Sequence, residues 1–336
     1  IFMVMFAVMG GFLGWVEAAI PFVPIVIPIL LAVGYDAMVA VAVCILGLMV
    51  GFAVGPTNVY TVGIAHSISE LPMFSGLGLR LFAYIVFVGI ATIHTIRYAN
   101  KVRKDPSKSL VADIDTSDLK FDIDTHSGQK MATSQIIALL ILAGTFIVVV
   151  YGMLNLGWNI DDMSAAFLLC GIIAGFVCKM DSGTIATTFI EGAKGSINGA
   201  MIVGVARGVQ WILEQGGIID PIINGLANIL STLPSSVSSI GIMVVVTLLN
   251  GLVPSGSGKA MALMPLLIPL GDLIGLTRQT TILAYQFGDG ISNMVWFTYG
   301  TLLIFLNYGK VPLQKWYKFV WPLIVILFIV AVLFLM

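Results

Sequence analysis

An all-α integral membrane protein, built from two inverted repeats that each hold a re-entrant hairpin and a broken helix, is the fold this sequence predicts. Three observations predict it: apolar runs recur from end to end, most of the charge falls between them, and the two halves share one punctuation pattern. Of 336 residues 59% are hydrophobic and 10% charged, with a mean hydropathy of +1.04, whereas a soluble domain carries about 25% charged residues. Runs of about 20 apolar residues each reach across a hydrocarbon core about 30 Å thick, which excludes a soluble enzyme held by one anchor. A net charge of −1 leaves no basic surface to hold nucleic acid. Cys44, Cys170 and Cys178 lie in apolar runs and read as small buried hydrophobes rather than a disulfide or metal framework.

The first repeat, residues 1–98, opens inside an apolar run from Ile1 to Trp15, with no basic segment ahead of it. Glu17 interrupts that run, a Pro-rich run from Ile20 to Val33 follows, and the pair reads as a hairpin. A longer run from Tyr35 breaks at Gly55-Pro56-Thr57-Asn58, and a span from Leu81 to Tyr98 closes the repeat. Residues 99–133 carry Lys101, Arg103, Lys104 and Lys108, then Asp113, Asp115, Asp118, Asp122 and Asp124, with little apolar periodicity, and read as a solvated linker. The second repeat, residues 134–336, supplies spans at 134–154 and 163–180, a mixed segment 183–196, a span 197–213 and a weaker stretch 217–232. A hairpin over 235–274 turns at Pro254-Ser255-Gly256-Ser257-Gly258. A broken helix over 277–309, interrupted from Gly288 to Asn293, and a last span from Phe319 to Met336 complete it.

Positive charges set the orientation. Arg97, Lys101, Arg103, Lys104, Lys108, Lys120 and Lys130 surround the linker and place it in the cytoplasm. Counting spans from there puts Arg278 outside and Lys310, Lys315 and Lys318 inside, provided both hairpins enter and leave on one side. The first then opens inward and the second outward. The halves share PIVIP at Pro24 to Pro28 and PLLIP at Pro265 to Pro269, each after a polar interruption and before a Gly-rich break ending in Asn. This is the inverted-topology pattern of many secondary transporters, whose unwound backbone survives at membrane depth only where it lines a polar site. Residues Ser134 to Leu233 precede the second hairpin, so symmetry calls for about 100 further residues before Ile1 and an N-terminally truncated first repeat.

The stretch PSGSGKAMALMPLLIPLGDLIGLTRQTTILAYQFGDGISN, with EAAIPFVPIVIP and GFAVGPTNVYTVGIA, resembles the C4-dicarboxylate anaerobic carrier and basic amino acid antiporter family of the ion transporter superfamily. The resemblance covers nearly the whole chain. It implies an elevator-type secondary carrier, multi-pass in the inner (plasma) membrane, and is compatible with a homodimer. The first-half break departs from it, reading Gly-Pro-Thr-Asn where many members carry Asn-Pro.

Candidate site residues cluster at the tips and breaks. Ser255, Gly256, Ser257 and Gly258 form a tip where small residues let backbone approach a ligand, the alternative being a plain turn. A phosphate loop is excluded, since Val253 and Ala260 stand where that motif needs Gly and Ser or Thr. Lys259 would pair with a substrate carboxylate or snorkel to water. Glu17 at the first tip would meet a cationic substrate group, carry a coupling proton, or brace the hairpin. Asn58 and Asn293 at the breaks suit substrate, while Asp289, Thr57 and Ser292 suit a coupling Na⁺ or H⁺. Their alternative role is capping of half-helices. Arg207, with Glu214 nearby, reads as a structural ion pair or a snorkelling contact rather than a substrate contact, and Trp296, Trp316, Tyr317 and Trp321 read as interface anchors.

The expectation is a secondary carrier that uses no cofactor and binds a small carboxylate-bearing metabolite within the lipid bilayer. An amino acid of both signs and a C4-dicarboxylate with cations both fit. A channel would use similar re-entrant segments. An intramembrane enzyme would need a base at the site, yet His66, His94 and His126 lie away from the breaks.

Overall fold

The structure, a computed structural model, describes residues 1–119, 132–156, 158, 160–218, 221, 225 and 234–336. His126, most of the segment 217–232 and the side chains of Arg207 and Glu214 lie outside the described residues. Every regular element among the described residues is helical. Two compact units are present, residues 1–121 with 199–336, and residues 122–198. The second holds α6 (Thr133–Asn155), α7 (Ile160–Val177) and the beginning of α8 (Ser182–Gln215). There the mixed segment and the following span form one helix rather than two pieces.

The first unit carries both segments expected to form hairpins. In the first, α1 (Phe2–Val8) widens into a π-helical turn at Met9–Leu13, reverses at Gly14 in the left-handed region, and returns through a 3₁₀ turn at Glu17–Phe22 into α2 (Val23–Ala32). The second joins α9 (Ser235–Asn250) to α10 (Gly256–Leu273). Between the hairpins in sequence stand α3 (Ala37–Val54), a π-helical turn at Val59–Gly63, α4 (Ile64–Ile68) and α5 (Leu77–Lys104). After the second come α11 (Arg278–Ser292), α12 (Gly300–Tyr308) and α13 (Leu313–Leu335).

α3 is the core. The Asp36 carboxylate caps it by accepting from the Val39 amide at 2.8 Å, and Gly55 ends it in the left-handed conformation that a residue with Cβ rarely adopts. α1 lies on it so closely that a Cβ on Gly51 would sit 2.2 Å from the Ala7 carbonyl oxygen, and one on Gly47 2.6 Å from that of Met3. α9 approaches α11 in the same way, with a Cβ on Gly288 falling 2.4 Å from the Met243 carbonyl oxygen. Small residues let membrane helices meet backbone to backbone, where dispersion and not water expulsion holds them. By length and composition three helical stretches among the described residues suffice to cross a membrane, 37–68, 77–104 and 313–335. The latter two turn Phe82, Ile85, Ile93, Ile329 and Leu333 outward, an apolar face suited to lipid.

The two broken helices run in opposite directions. At the start of α3, Asp36 accepts from Ser109 Oγ at 2.6 Å and from Tyr98 Oη at 2.8 Å. The same segment, 105–119, meets the far end of α12 through Lys310 and Asp118 at 2.6 Å, and the start of α13 through Lys315 and Asp113. The Lys315 ammonium holds the Asp113 carboxyl below the usual carboxylate range. At the other end, Arg278 at the start of α11 donates to the Ser69 carbonyl just past α4 at 2.7 Å, and to Asp272. Residues 105–119 are therefore a largely exposed strap, tethered by polar contacts at Asp36, Lys310 and Lys315. Asp36→Ala should lower stability by about 1–2 kcal/mol, the usual worth of a helix cap. It should also release the strap, read as a lower Tm and faster proteolysis within 105–119.

The second break is displaced from its expected position. Gly288, Asp289 and Gly290 are helical, and the chain unwinds at Asn293 to Tyr299 instead. Those glycines serve contact: a Cβ on Gly290 would stand 2.2 Å from Ala53 Cα, where α11 crosses α3. Trp316 is not an interface anchor. Trp316 is fully buried and its Nε1 donates to the Met294 carbonyl at 2.8 Å, while Tyr317 Oη donates to that of Val295 at 2.7 Å. Trp296 Nε1 donates to the Thr247 carbonyl at 2.6 Å, and Trp321 alone of the four is largely exposed. The unwound carbonyls are thus satisfied by side chains, as backbone at membrane depth requires.

Candidate functional site

At the first break, Asn58 restarts the helix. Its Oδ1 accepts from the amides of Tyr60 at 2.9 Å and Thr61 at 3.3 Å. The Thr57 hydroxyl donates to the Phe12 carbonyl at 2.9 Å, which ties the first hairpin tip to the break. Two further carbonyls at the end of α3 are taken by side chains from neighbouring helices: Phe52 by Gln286 Nε2 at 2.5 Å, and Val54 by Arg80 Nη1 at 3.2 Å. The buried guanidinium of Arg80 thereby sits at the negative end of the α3 dipole.

At the second hairpin, Ser255 caps α10, its Oγ accepting from the Gly258 amide at 3.3 Å. The opening amides of α10 have no acceptor within the helix. They lie against the broken helices, since a Cβ on Gly256 would be 2.9 Å from Thr61 Cγ2 and 3.3 Å from Asp289 Oδ2. Tyr285 Oη donates to the Gly256 carbonyl at 2.7 Å and fixes the tip on α11. Ser257 and Gly258 are half-buried beside it.

Lys259 does not snorkel. It is 2% exposed, and its ammonium lies 2.6 Å from Asp289 Oδ1. It also donates to Asn250 Oδ1. Asn250 Nδ2 faces Asn293 Oδ1 at 2.7 Å, Ser292 Oγ at 2.8 Å and the Asp289 carbonyl at 3.2 Å. One amide therefore joins hairpin α9–α10 to the end of α11, and Lys259, Asp289, Ser292 and Asn293 gather on it. Asp289 lies inside the last turn of α11 and caps nothing.

Asn58 and Thr57 belong to the neighbouring first break, which Gly256 at the start of α10 approaches through Thr61. Glu17 stands apart. It is exposed, within electrostatic reach of Tyr60 and Tyr299, the latter also facing Asp289. Four buried side chains around this junction keep polar atoms without a hydrogen-bond partner: Asn58 Nδ2, Thr61 Oγ1, Gln286 Oε1 and Asp289 Oδ2. The Asp289 Oδ1 contact with Lys259 is one of charge at short range and not an aligned hydrogen bond. An orphaned buried polar atom costs about 1–3 kcal/mol, so these four are the candidates for contact with water or a polar ligand.

Sequence reasoning missed Asn250, Gln286, Thr61 and Arg80. For Asn250 a signal existed: it is an amide inside the apolar run 235–253, and a polar group at membrane depth is a functional candidate. Gln286 precedes Asp289 by one helical turn and carried the same signal. Arg80 reads in sequence only as the charge that ends a span.

The sequence model for the C4-dicarboxylate anaerobic carrier family matches residues 1–336. An Escherichia coli protein named "Putative basic amino acid antiporter YfcC" is 31% identical over 339 residues, 98% of this chain and 67% of its own length. An uncharacterized Haemophilus influenzae protein is 32% identical over 322 residues, 94% of this chain and 63% of its own length. The chain thus spans about two thirds of these relatives. A crystal structure of the Alcanivorax borkumensis YdaH transporter shares the fold, with a TM-score of 0.52 at 15% identity over 99% of this chain and 77% of that one.

Proposed function

Because the chain belongs to the C4-dicarboxylate anaerobic carrier family, a family of membrane transporters, we propose that it forms the substrate-binding part of a secondary active carrier for a small carboxylate-bearing metabolite. The observation that carries this reading is the group of orphaned polar atoms between the first break and the tip of α10. The substrate carboxylate meets the opening amides of α10 at Gly256 and Ser257, where the helix dipole favours an anion. Asn58, Thr61 and Gln286 supply its remaining hydrogen bonds. With Lys259 and Asp289 neutralising each other, the exposed Glu17 is the charge left beside the tips, which favours a substrate that also carries a cationic group, an amino acid. A C4-dicarboxylate is the second reading, favoured by the family's description.

Opposed directions of the broken helices, and the matched glycine packing of α1 on α3 and α9 on α11, support two inverted repeats, residues 1–98 and 134–336. In the carrier cycle, ligand at the tips lets the hairpins and broken helices move as one body between the two faces. The strap side is the cytoplasmic one, and the membrane is the inner membrane. The test is counterflow in proteoliposomes holding the full-length protein, with labelled basic amino acids and C4-dicarboxylates offered in turn. Saturable counterflow of one class supports a carrier and names the class. Flux that never saturates and shows no counterflow would make it a channel.

A further inference from the structure

We propose that Lys259 is a tethered cation: its ammonium takes the place among the oxygens of Asp289 and Asn250 that a coupling Na⁺ would occupy, so this site runs without a metal ion. The inference rests on the reading of these helices as the transport site and names its charge partner. The carboxylate of Asp289 and the amide oxygen of Asn250 are hard oxygen donors of the kind that hold Na⁺. Asn293 Oδ1 and Ser292 Oγ adjoin them through the same Asn250 amide. The ammonium stands 2.6 Å from Asp289 Oδ1, and both side chains are at most 2% exposed.

Its position argues that the pairing is the reason for the residue. Lys259 lies in the first turn of α10, where a cation opposes the helix dipole. A buried carboxylate without a counter-charge is strongly unfavourable, and the ammonium offsets it at every stage of transport. Expected for the wild-type protein is therefore uptake that proceeds equally in NaCl and in choline chloride.

Removing the tether should create the need for a free ion. Full-length Lys259→Ala, purified in detergent, should melt several degrees below wild type in choline chloride and recover as NaCl is raised, its Tm climbing with the logarithm of concentration. Wild type should show no such climb. Lys259→Ala with Asp289→Asn removes both charges and should fold without responding to Na⁺, which ties the need to the carboxylate. A Na⁺-dependent Tm or uptake in wild type would overturn the proposal. So would a Lys259→Ala protein that Na⁺, Li⁺ and K⁺ all fail to restore, whether it is unstable or not. Because Tm is read without transport, a failed counterflow assay would count against the carrier reading and leave this test standing.

Discussion

Gly290→Ala should leave no stably folded protein. The added Cβ would stand 2.2 Å from Ala53 Cα, 2.7 Å from Ala53 Cβ and 2.8 Å from the Ala53 nitrogen, and backbone cannot swing aside as a side chain can. α11 would have to lift off α3, breaking the Gln286 bond to the Phe52 carbonyl and separating the two breaks. An expected loss of more than about 4 kcal/mol exceeds what overpacking alone costs and approaches the stability of many domains. Gly89→Ala is the control. Nothing lies within 4 Å of a Cβ at Gly89 in α5, so that variant should gain up to about 1 kcal/mol of helix propensity. Yield of monodisperse protein in detergent, and its Tm, separate the two.

Asn250→Leu should be nearly as severe, by a different route. The substitution keeps the branching and the number of heavy atoms, adds the bulk of two methyl groups in a buried place, and removes every bond that the amide makes. Lys259 then loses its second partner, while Ser292, Asn293 and the Asp289 carbonyl lose their common donor. Breaking one member of a buried charged network costs about 3–5 kcal/mol, because the groups left behind remain out of water. A double-mutant cycle with Lys259→Met should show coupling of at least about 1 kcal/mol between the two positions. Additive losses would mean that the amide and the ammonium act independently.

The interruptions between the paired helices were legible in the sequence because they are written in local chemistry. Glu17 interrupts one apolar run, Pro254 to Gly258 interrupts the other, and both returns carry proline. The first break was legible for the same reason, since Gly55-Pro56 cannot continue a helix. The second was misplaced because glycine has two uses. In water Gly-Asp-Gly reads as a turn, but in a membrane helix it is also the surface on which a neighbour's backbone rests. The true break contains Val295, Trp296 and Phe297, residues with no breaker among them, and it persists because Trp316 and Tyr317 from α13 hold its carbonyls. A partner more than 20 positions away leaves no local mark. Lys259 was legible as a charge at depth but not as the partner of Asp289, since the pair lies 30 positions apart and forms only once α10 rests against α11.

The indoles at the second break make the unwound segment optically visible. Trp296 and Trp316 each donate a hydrogen bond to a carbonyl in or beside it, and Gly251 leaves the space in which the Trp296 ring lies, at 2.8 Å from a Cβ built there. Indole emission moves to longer wavelength when that bond is exchanged for water. Of the remaining tryptophans, Trp211 and Trp321 face outward and contribute a constant background that a lipid-soluble quencher can remove. A protein carrying only Trp316 would then convert opening or tightening of the break into a colour shift, recorded in the native side chain with no attached dye.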